Sequence, residues 1–181
     1  MKKSLVFLTG FMGSGKSTIG PLLAKEIGYD FIDVDELIEK VDGRKIVDIF
    51  RESGEIYFRN LERQILIDTV LKLSKFVIAL GGGTITFADN LFLVKKFGIL
   101  IYLKASPEIL LHRIKFKTDR PLLLDPMGNP LPENLLFERI MTLLKMREPY
   151  YLQADFLVST DDRDIEETVA EILKKLEGKI A

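Results

Sequence analysis

The sequence predicts an α/β fold of three layers, in which a central, mostly five-stranded parallel sheet lies between two layers of helices. Two observations carry this. Short, unbroken apolar runs recur along the 181 residues, at 5–8, 31–32, 76–80, 99–103 and 156–158, which is the pattern of strands buried on both faces. Longer segments of helical period separate the runs, and strand–helix alternation of this kind implies parallel strands joined by helical crossovers.

In chain order, the strand Leu5-Val6-Phe7-Leu8 leads through a glycine-rich turn to a helix over about 16–27. A second strand, Phe31-Ile32, precedes a short helix over 34–40. The clearest helix covers 55–74, where Phe58, Leu61, Ile65, Thr69 and Leu73 recur every three or four residues. Further helices are expected at about 88–96, 107–115, 135–146 and 165–176, the last stopped by Gly178. Between 117 and 134 the chain reads KTDRPLLLDPMGNPLPEN, with four of the seven prolines, so it is expected as a long exposed excursion outside the core. Long ordered loops of this kind often serve enzymes as lids. The chain holds no internal repeat and no interdomain linker, and its length suits one domain, 1–181.

Composition narrows the chemistry. With 26 Lys plus Arg against 27 Asp plus Glu, the net charge of −1 gives no basic field to hold a nucleic acid. Zero Cys removes disulfides, thiolate metal sites and Cys nucleophiles, and suits a reducing, cytoplasmic setting. The single His cannot build an H-E-x-x-H site, so any metal is expected to be a hard cation on oxygen ligands. The apolar run after Lys2 and Lys3 is too short for a signal segment or a membrane span.

Gly10-Phe11-Met12-Gly13-Ser14-Gly15-Lys16-Ser17 fits G-x-x-x-x-G-K-[ST] in full, after a strand and opening a helix. The glycines let successive N–H groups curl round a phosphate at the positive end of the helix. Lys16 reaches the β/γ oxygens and the Ser17 hydroxyl ligates Mg²⁺. Two GTPase look-alikes fail: Leu122-Leu123-Leu124-Asp125-Pro126-Met127-Gly128 lies among prolines, and Phe116-Lys117-Thr118-Asp119 lacks the Asn of a guanine-reading motif.

Asp33 and Asp35 follow the second strand at i and i+2, so both point toward the crevice at the carboxyl ends of the strands. One carboxylate suits a Mg²⁺ water shell and the other a proton from an attacking hydroxyl; a solvated turn is the plain alternative. Gly81-Gly82-Gly83 ends the 76–80 strand, which suggests close approach of a ligand or another backbone, or an ordinary strand-to-helix turn. Arg59, Arg113, Arg120 and Arg147 are not specific singly. An arginine in a lid suits charge developing on a transferring phosphoryl, and Arg147 suits a forked grip on a carboxylate.

Taken in order, GFMGSGKSTIG at 10–20, DVD at 33–35, FRNLE at 58–62, LGGGTI at 80–85, DRPLL at 119–123 and REPYY at 147–151 resemble the shikimate kinases over nearly the whole chain. The resemblance implies the P-loop, nucleoside-monophosphate-kinase-like fold, with substrate-binding helices at about 34–62 and a mobile lid at about 116–134. It implies that Gly13, Ser14, Gly15, Lys16, Ser17 and Thr18 bind ATP, that Ser17 ligates Mg²⁺, and that Asp33 holds the same ion through water. By the same likeness Asp35 holds the hydroxyl that is phosphorylated. Arg59 and Arg147 grip the acceptor carboxylate beside Gly81, Gly82 and Gly83, while Arg120 contacts the ATP phosphates and Arg113 and Arg163 lie on the adenine side.

The implied reaction is transfer of the ATP γ-phosphoryl to the 3-hydroxyl of shikimate, on the route to chorismate and aromatic amino acids. Lys16, Asp35 and Arg120 are its expected catalytic residues, in a cytoplasmic monomer that binds neither nucleic acid nor membrane. Departures from the family pattern are Pro21 within a helix, a long insert DPMGNPLPEN in the lid, and a slightly short stretch between Arg147 and Asp155. Rival readings are a gluconate or nucleoside monophosphate kinase of the same architecture, and a catalytically silent nucleotide-binding module.

Overall fold

The computed structural model describes residues 3–117 and 119–181, so Lys2 and the Thr118 of the failed guanine motif lie outside the described residues. Five strands form one sheet: β1 (Leu5–Thr9), β2 (Asp30–Asp33), β3 (Phe76–Ala79), β4 (Gly98–Lys104) and β5 (Phe156–Ser159). They run parallel in the order β2-β3-β1-β4-β5, with Leu5 opposite both Phe76 and Gly98.

Alternation along β1 divides the core. Val6 and Leu8 face helices α1 (Lys16–Ile27) and α7 (Ile165–Leu176), in a cluster with Ile19, Leu23, Val169 and Ile172. Leu5 and Phe7 face the opposite layer of α2 (Val34–Asp42), α3 (Ile46–Lys72), α4 (Asn90–Phe97), α5 (Pro107–Ile114) and α6 (Glu133–Tyr151). Because both faces are covered, the strands read as continuous apolar runs. Local signals start the helices: Asp33 caps α2 by accepting from the Asp35 amide, and Asp164 with Glu167 forms a capping box on α7. Pro21 lies on the exposed side of α1, which runs through it. No helix among the described residues is long and apolar enough to cross a membrane.

Three differences from the sequence reading have physical causes. Gly54 (φ 81°, ψ 168°) divides 46–72 into two helical segments, so the helix expected from 55 begins just past this bend, and the segment from Ile46 before it is the one the apolar period did not predict. The helix expected to end near 146 continues to Tyr151 through Pro149, which removes one backbone donor without ending the helix. The proline-rich excursion is not wholly outside the core. Pro121 starts a 3-10 turn (Pro121–Leu123) that delivers Leu123, only 2% exposed, into the cluster containing Leu136 and Ile140. Burying that side chain stabilises the segment by about 1.5–3 kcal/mol. Beyond it, Asp125 accepts from the amides of Met127 and Asn129 at 2.8 Å each, building an exposed turn and no switch-type strand end.

Candidate active site

The strand order reverses direction at β1, between β3 and β4, and the carboxyl ends of β1, β2 and β3 open onto a crevice there. The glycine-rich turn leaves β1 with Gly10 at φ 142°, Gly13 at 85° and Gly15 at 100°, conformations that an L side chain rarely adopts. Space also demands glycine: a Cβ at Gly10 would lie 2.4 Å from the Leu103 carbonyl oxygen, and one at Gly13 would lie 2.5 Å from Ile114 Cγ2. The turn therefore sits hard against β4 and α5, its amides gathered at the N-terminus of α1, where an anion is favoured. Lys16 is 8% exposed, and its ammonium donates to the carbonyls of Gly10 at 2.8 Å and Phe11 at 3.0 Å. Burial pushes its pKa down to about 8.

This turn lines an open cleft of about 380 Å³. Gly13, Ser14, Gly15, Lys16, Ser17 and Thr18 face it, together with Asp33, Asp35, Arg113, Arg120 and Arg163. Arg113 is tethered, donating to the Gly13 carbonyl at 3.2 Å and to Thr160 Oγ1 and carbonyl at 3.1 and 2.9 Å. Arg163 pairs with Glu171.

The Ser17 hydroxyl donates to Asp33 Oδ2 at 2.6 Å. A hydroxyl and a carboxylate side by side next to a phosphate cradle are hard oxygen donors, a set that fits Mg²⁺ with most of its waters kept. No group of three or more His, Cys, Asp or Glu is clustered for a metal among the described residues.

Asp35 lines the first cleft and also a second, smaller one of about 50 Å³. Burial, reinforced by the charge of Asp33, raises its carboxyl above the usual range, while Arg120 and Lys16 oppose the rise. Arg120 Nη1 donates to Asp35 Oδ2 at 3.0 Å.

At the far side of the second cleft lie Arg59, Arg147 and the three glycines. Arg59, one turn beyond the Gly54 bend, donates to Glu62 Oε2 at 2.8 Å, and Glu62 accepts from Thr84 Oγ1 at 2.5 Å. Glu62 is fully buried, and burial raises its carboxyl despite the opposing charge of Arg59. Arg147 is 6% exposed, and its Nη1 has no hydrogen-bond partner among the described residues. A buried guanidinium nitrogen left unpaired is costly, and an incoming carboxylate matches it in charge and fork geometry.

The glycines make room for charged side chains. A Cβ at Gly81 would lie 2.7 Å from Glu62 Oε1 and 2.9 Å from Asp35 Oδ1; at Gly82, 3.3 Å from Arg147 Nη1; at Gly83, 2.5 Å from Arg59 Nη2. The close approach expected there is thus made by the site's own side chains.

The structure gathers the candidate residues 13–18, Asp33, Asp35, Arg59, Gly81, Gly82, Gly83, Arg113, Arg120, Arg147 and Arg163 into these two adjoining clefts, joined at Asp35, Gly82, Met12 and Arg120. The sequence reading gave no role to Glu62 or Tyr151. The i+3 spacing marks Glu62 as a partner of Arg59, whereas nothing in the sequence marks Tyr151 beyond its place one turn after Arg147. His112, left without a role, is exposed on α5.

A phosphate-cradling turn beside a pocket of buried arginines defines a P-loop phosphotransferase architecture with an anionic acceptor. The family model described as shikimate kinase matches residues 12–177. A shikimate kinase of Chlorobaculum tepidum is 49% identical over 177 residues, covering 98% of this chain and 92% of that protein. Among solved structures, shikimate kinase from Acinetobacter baumannii in complex with shikimate superposes with a TM-score of 0.87 at 32% identity, covering 96% of this chain and 93% of that one. The Aquifex aeolicus shikimate kinase gives 0.79 at 37% identity, with 96% of each chain covered. The chain belongs to the shikimate kinase family.

Proposed function

We propose that this protein transfers the γ-phosphoryl of ATP to the 3-hydroxyl of shikimate, giving shikimate 3-phosphate and ADP. The observation that carries an anionic acceptor is the unpartnered Nη1 of buried Arg147, which faces a cleft shared with Arg59 and Asp35. Gluconate also carries a carboxylate and a nucleotide a phosphate, so what favours shikimate over them is the match of nearly the whole chain to shikimate kinases.

ATP phosphates lie along the turn from Gly13 to Thr18, in the 380 Å³ cleft, with Arg113 and Arg163 toward the base. Ser17 and, through water, Asp33 would hold Mg²⁺, which would supply neutralisation of charge on the phosphate oxygens. The acceptor enters with its carboxylate on Arg59 and Arg147 beside the three glycines, and its hydroxyl at Asp35. Its arrival separates Arg120 from Asp35. Asp35 then accepts or orients the hydroxyl proton, and Arg120 turns to the transferring phosphoryl with Lys16, where both stabilise charge that grows in the transition state. The segment 116–134 acts as the lid that carries Arg120, anchored through Leu123. Positioning and electrostatics supply the rate, because a loose phosphoryl transition state asks for little covalent help. The working unit is a cytoplasmic monomer of a single domain.

ADP release measured with shikimate, gluconate and nucleoside monophosphates tests the reading. Release with shikimate alone is expected. Release confined to gluconate or a nucleotide contradicts the acceptor, and no release with any of them favours a silent module.

A further inference from the structure

We propose that Tyr151 is a positioning residue for the acceptor carboxylate, its hydroxyl holding the Gly82 peptide against the guanidinium of Arg147. The proposal rests on the shikimate reading above.

The three glycines carry no side chains to pack, so their carbonyl bonds set where their peptides lie. The Gly81 carbonyl accepts from the Thr84 amide at 3.1 Å, and that of Gly83 from the Thr86 amide at 3.1 Å and the Thr86 hydroxyl at 2.8 Å. All three bonds are local, made to residues of the adjoining 3-10 turn Thr84–Thr86. The middle carbonyl, Gly82, instead accepts from the Tyr151 hydroxyl, 69 positions away.

Tyr151 lies one turn after Arg147 on α6, so both side chains leave the same helix face. A Cβ at Gly82 would stand 3.3 Å from Arg147 Nη1, so the peptide and the guanidinium are near neighbours, and the same helical turn anchors both. The Arg147 guanidinium also lies over the Phe11 ring, 5.9 Å from its centroid, which leaves the unpartnered Nη1 toward the glycines.

Tyr151 itself has little freedom. It is 0% exposed, and its ring packs on Tyr102 with centroids 5.1 Å apart. Burial pushes its hydroxyl up to about 12, so it remains a protonated donor at any working pH. The Tyr102 hydroxyl points elsewhere, to Glu148 Oε1 at 3.4 Å. Two stacked tyrosines therefore separate packing from positioning, since only one hydroxyl reaches the glycine loop.

The test is steady-state kinetics of the full chain with ATP and shikimate varied in turn. Tyr151→Phe keeps the ring and removes the bond to Gly82. It is expected to raise the shikimate KM by about fivefold to twentyfold, the range of one hydrogen bond, with the ATP KM within about twofold of wild type. The unchanged ATP KM also reports that the variant is folded. Tyr102→Phe loses a hydroxyl from the same packed pair and is expected to leave both KM values within about twofold. A Tyr151→Phe shikimate KM indistinguishable from wild type overturns the proposal, as does an equal rise in both KM values or an equal effect of Tyr102→Phe. A wild-type chain that releases no ADP with shikimate overturns the functional reading itself, a result separable from all of these.

Discussion

Arg120, from the proline-rich segment, and Asp35, from the first turn of α2, form an ion pair at 3.0 Å across 85 positions of chain. The pair holds the two groups that the proposed reaction uses apart from each other: Asp35 on the acceptor hydroxyl and Arg120 on the phosphoryl. Each side chain is about a quarter exposed and both line the two clefts, so a ligand hydroxyl and phosphate can reach the pair and exchange for it.

Replacing the base without changing its shape isolates its role. Asp35→Asn is expected to lower kcat by about 10²- to 10⁴-fold while the ATP KM stays within about threefold. Steady-state kinetics with ATP and shikimate checks it, and an unchanged kcat removes Asp35 from the chemistry.

Arg120→Ala is expected to reduce kcat by about 10²-fold or more, with a smaller effect on shikimate binding, because its charge is needed most where negative charge grows. Isothermal titration of shikimate separates the two effects. A tenfold loss of shikimate affinity with kcat intact would place Arg120 on the acceptor instead.

Gly83 has an ordinary φ of −109°, so alanine there strains no backbone, yet its Cβ would meet Arg59 Nη2 at 2.5 Å. Gly83→Ala should therefore fold normally, push Arg59 aside and raise the shikimate KM by about tenfold or more, leaving the ATP KM unaltered. A variant with wild-type shikimate KM shows that Arg59 is dispensable for the acceptor.

The two perturbed groups give a pH signature. Burial raises the Asp35 carboxyl and lowers Lys16 to about 8, so kcat/KM should climb with pH as Asp35 ionises and fall again as Lys16 loses its proton near pH 8. Stability follows the same lysine with the opposite sense. Between about 8 and 10.5 the unfolded chain binds more protons at Lys16 than the folded one, so stability rises with pH in that window. The cost of the buried charge is fully present below 8 and gone above 10.5. Urea midpoints of wild type should gain on those of Lys16→Met from pH 8 to 10; parallel curves contradict the shift.

Much of the fold and of the phosphate turn is legible in the sequence. The strands were readable because each is an unbroken apolar run, and the phosphate turn because its glycines, Lys16 and Ser17 occupy a fixed spacing after β1. The helical segment from Ile46 was hidden because Gly54 breaks the period that Phe58, Leu61 and Ile65 establish beyond it. The burial of Leu123 was hidden by the prolines around it, which in the folded chain shape the turn that drives it inward. Glu62 resembles an ordinary surface partner of Arg59 at i+3, since sequence spacing does not distinguish a solvated pair from one buried against Gly81 and Gly83. The Tyr151 contact left no trace, because its acceptor is a backbone carbonyl whose residue identity says nothing of it.

The central claim is that the acceptor is held by its carboxylate on Arg147. The most direct measurement is equilibrium binding of shikimate and of ATP to wild type and to Arg147→Ala. Shikimate affinity should fall by about 10²-fold or more, the scale of a buried charge-assisted pair, with ATP affinity within about twofold. Equal losses for the two ligands, or shikimate binding that survives intact, would contradict it.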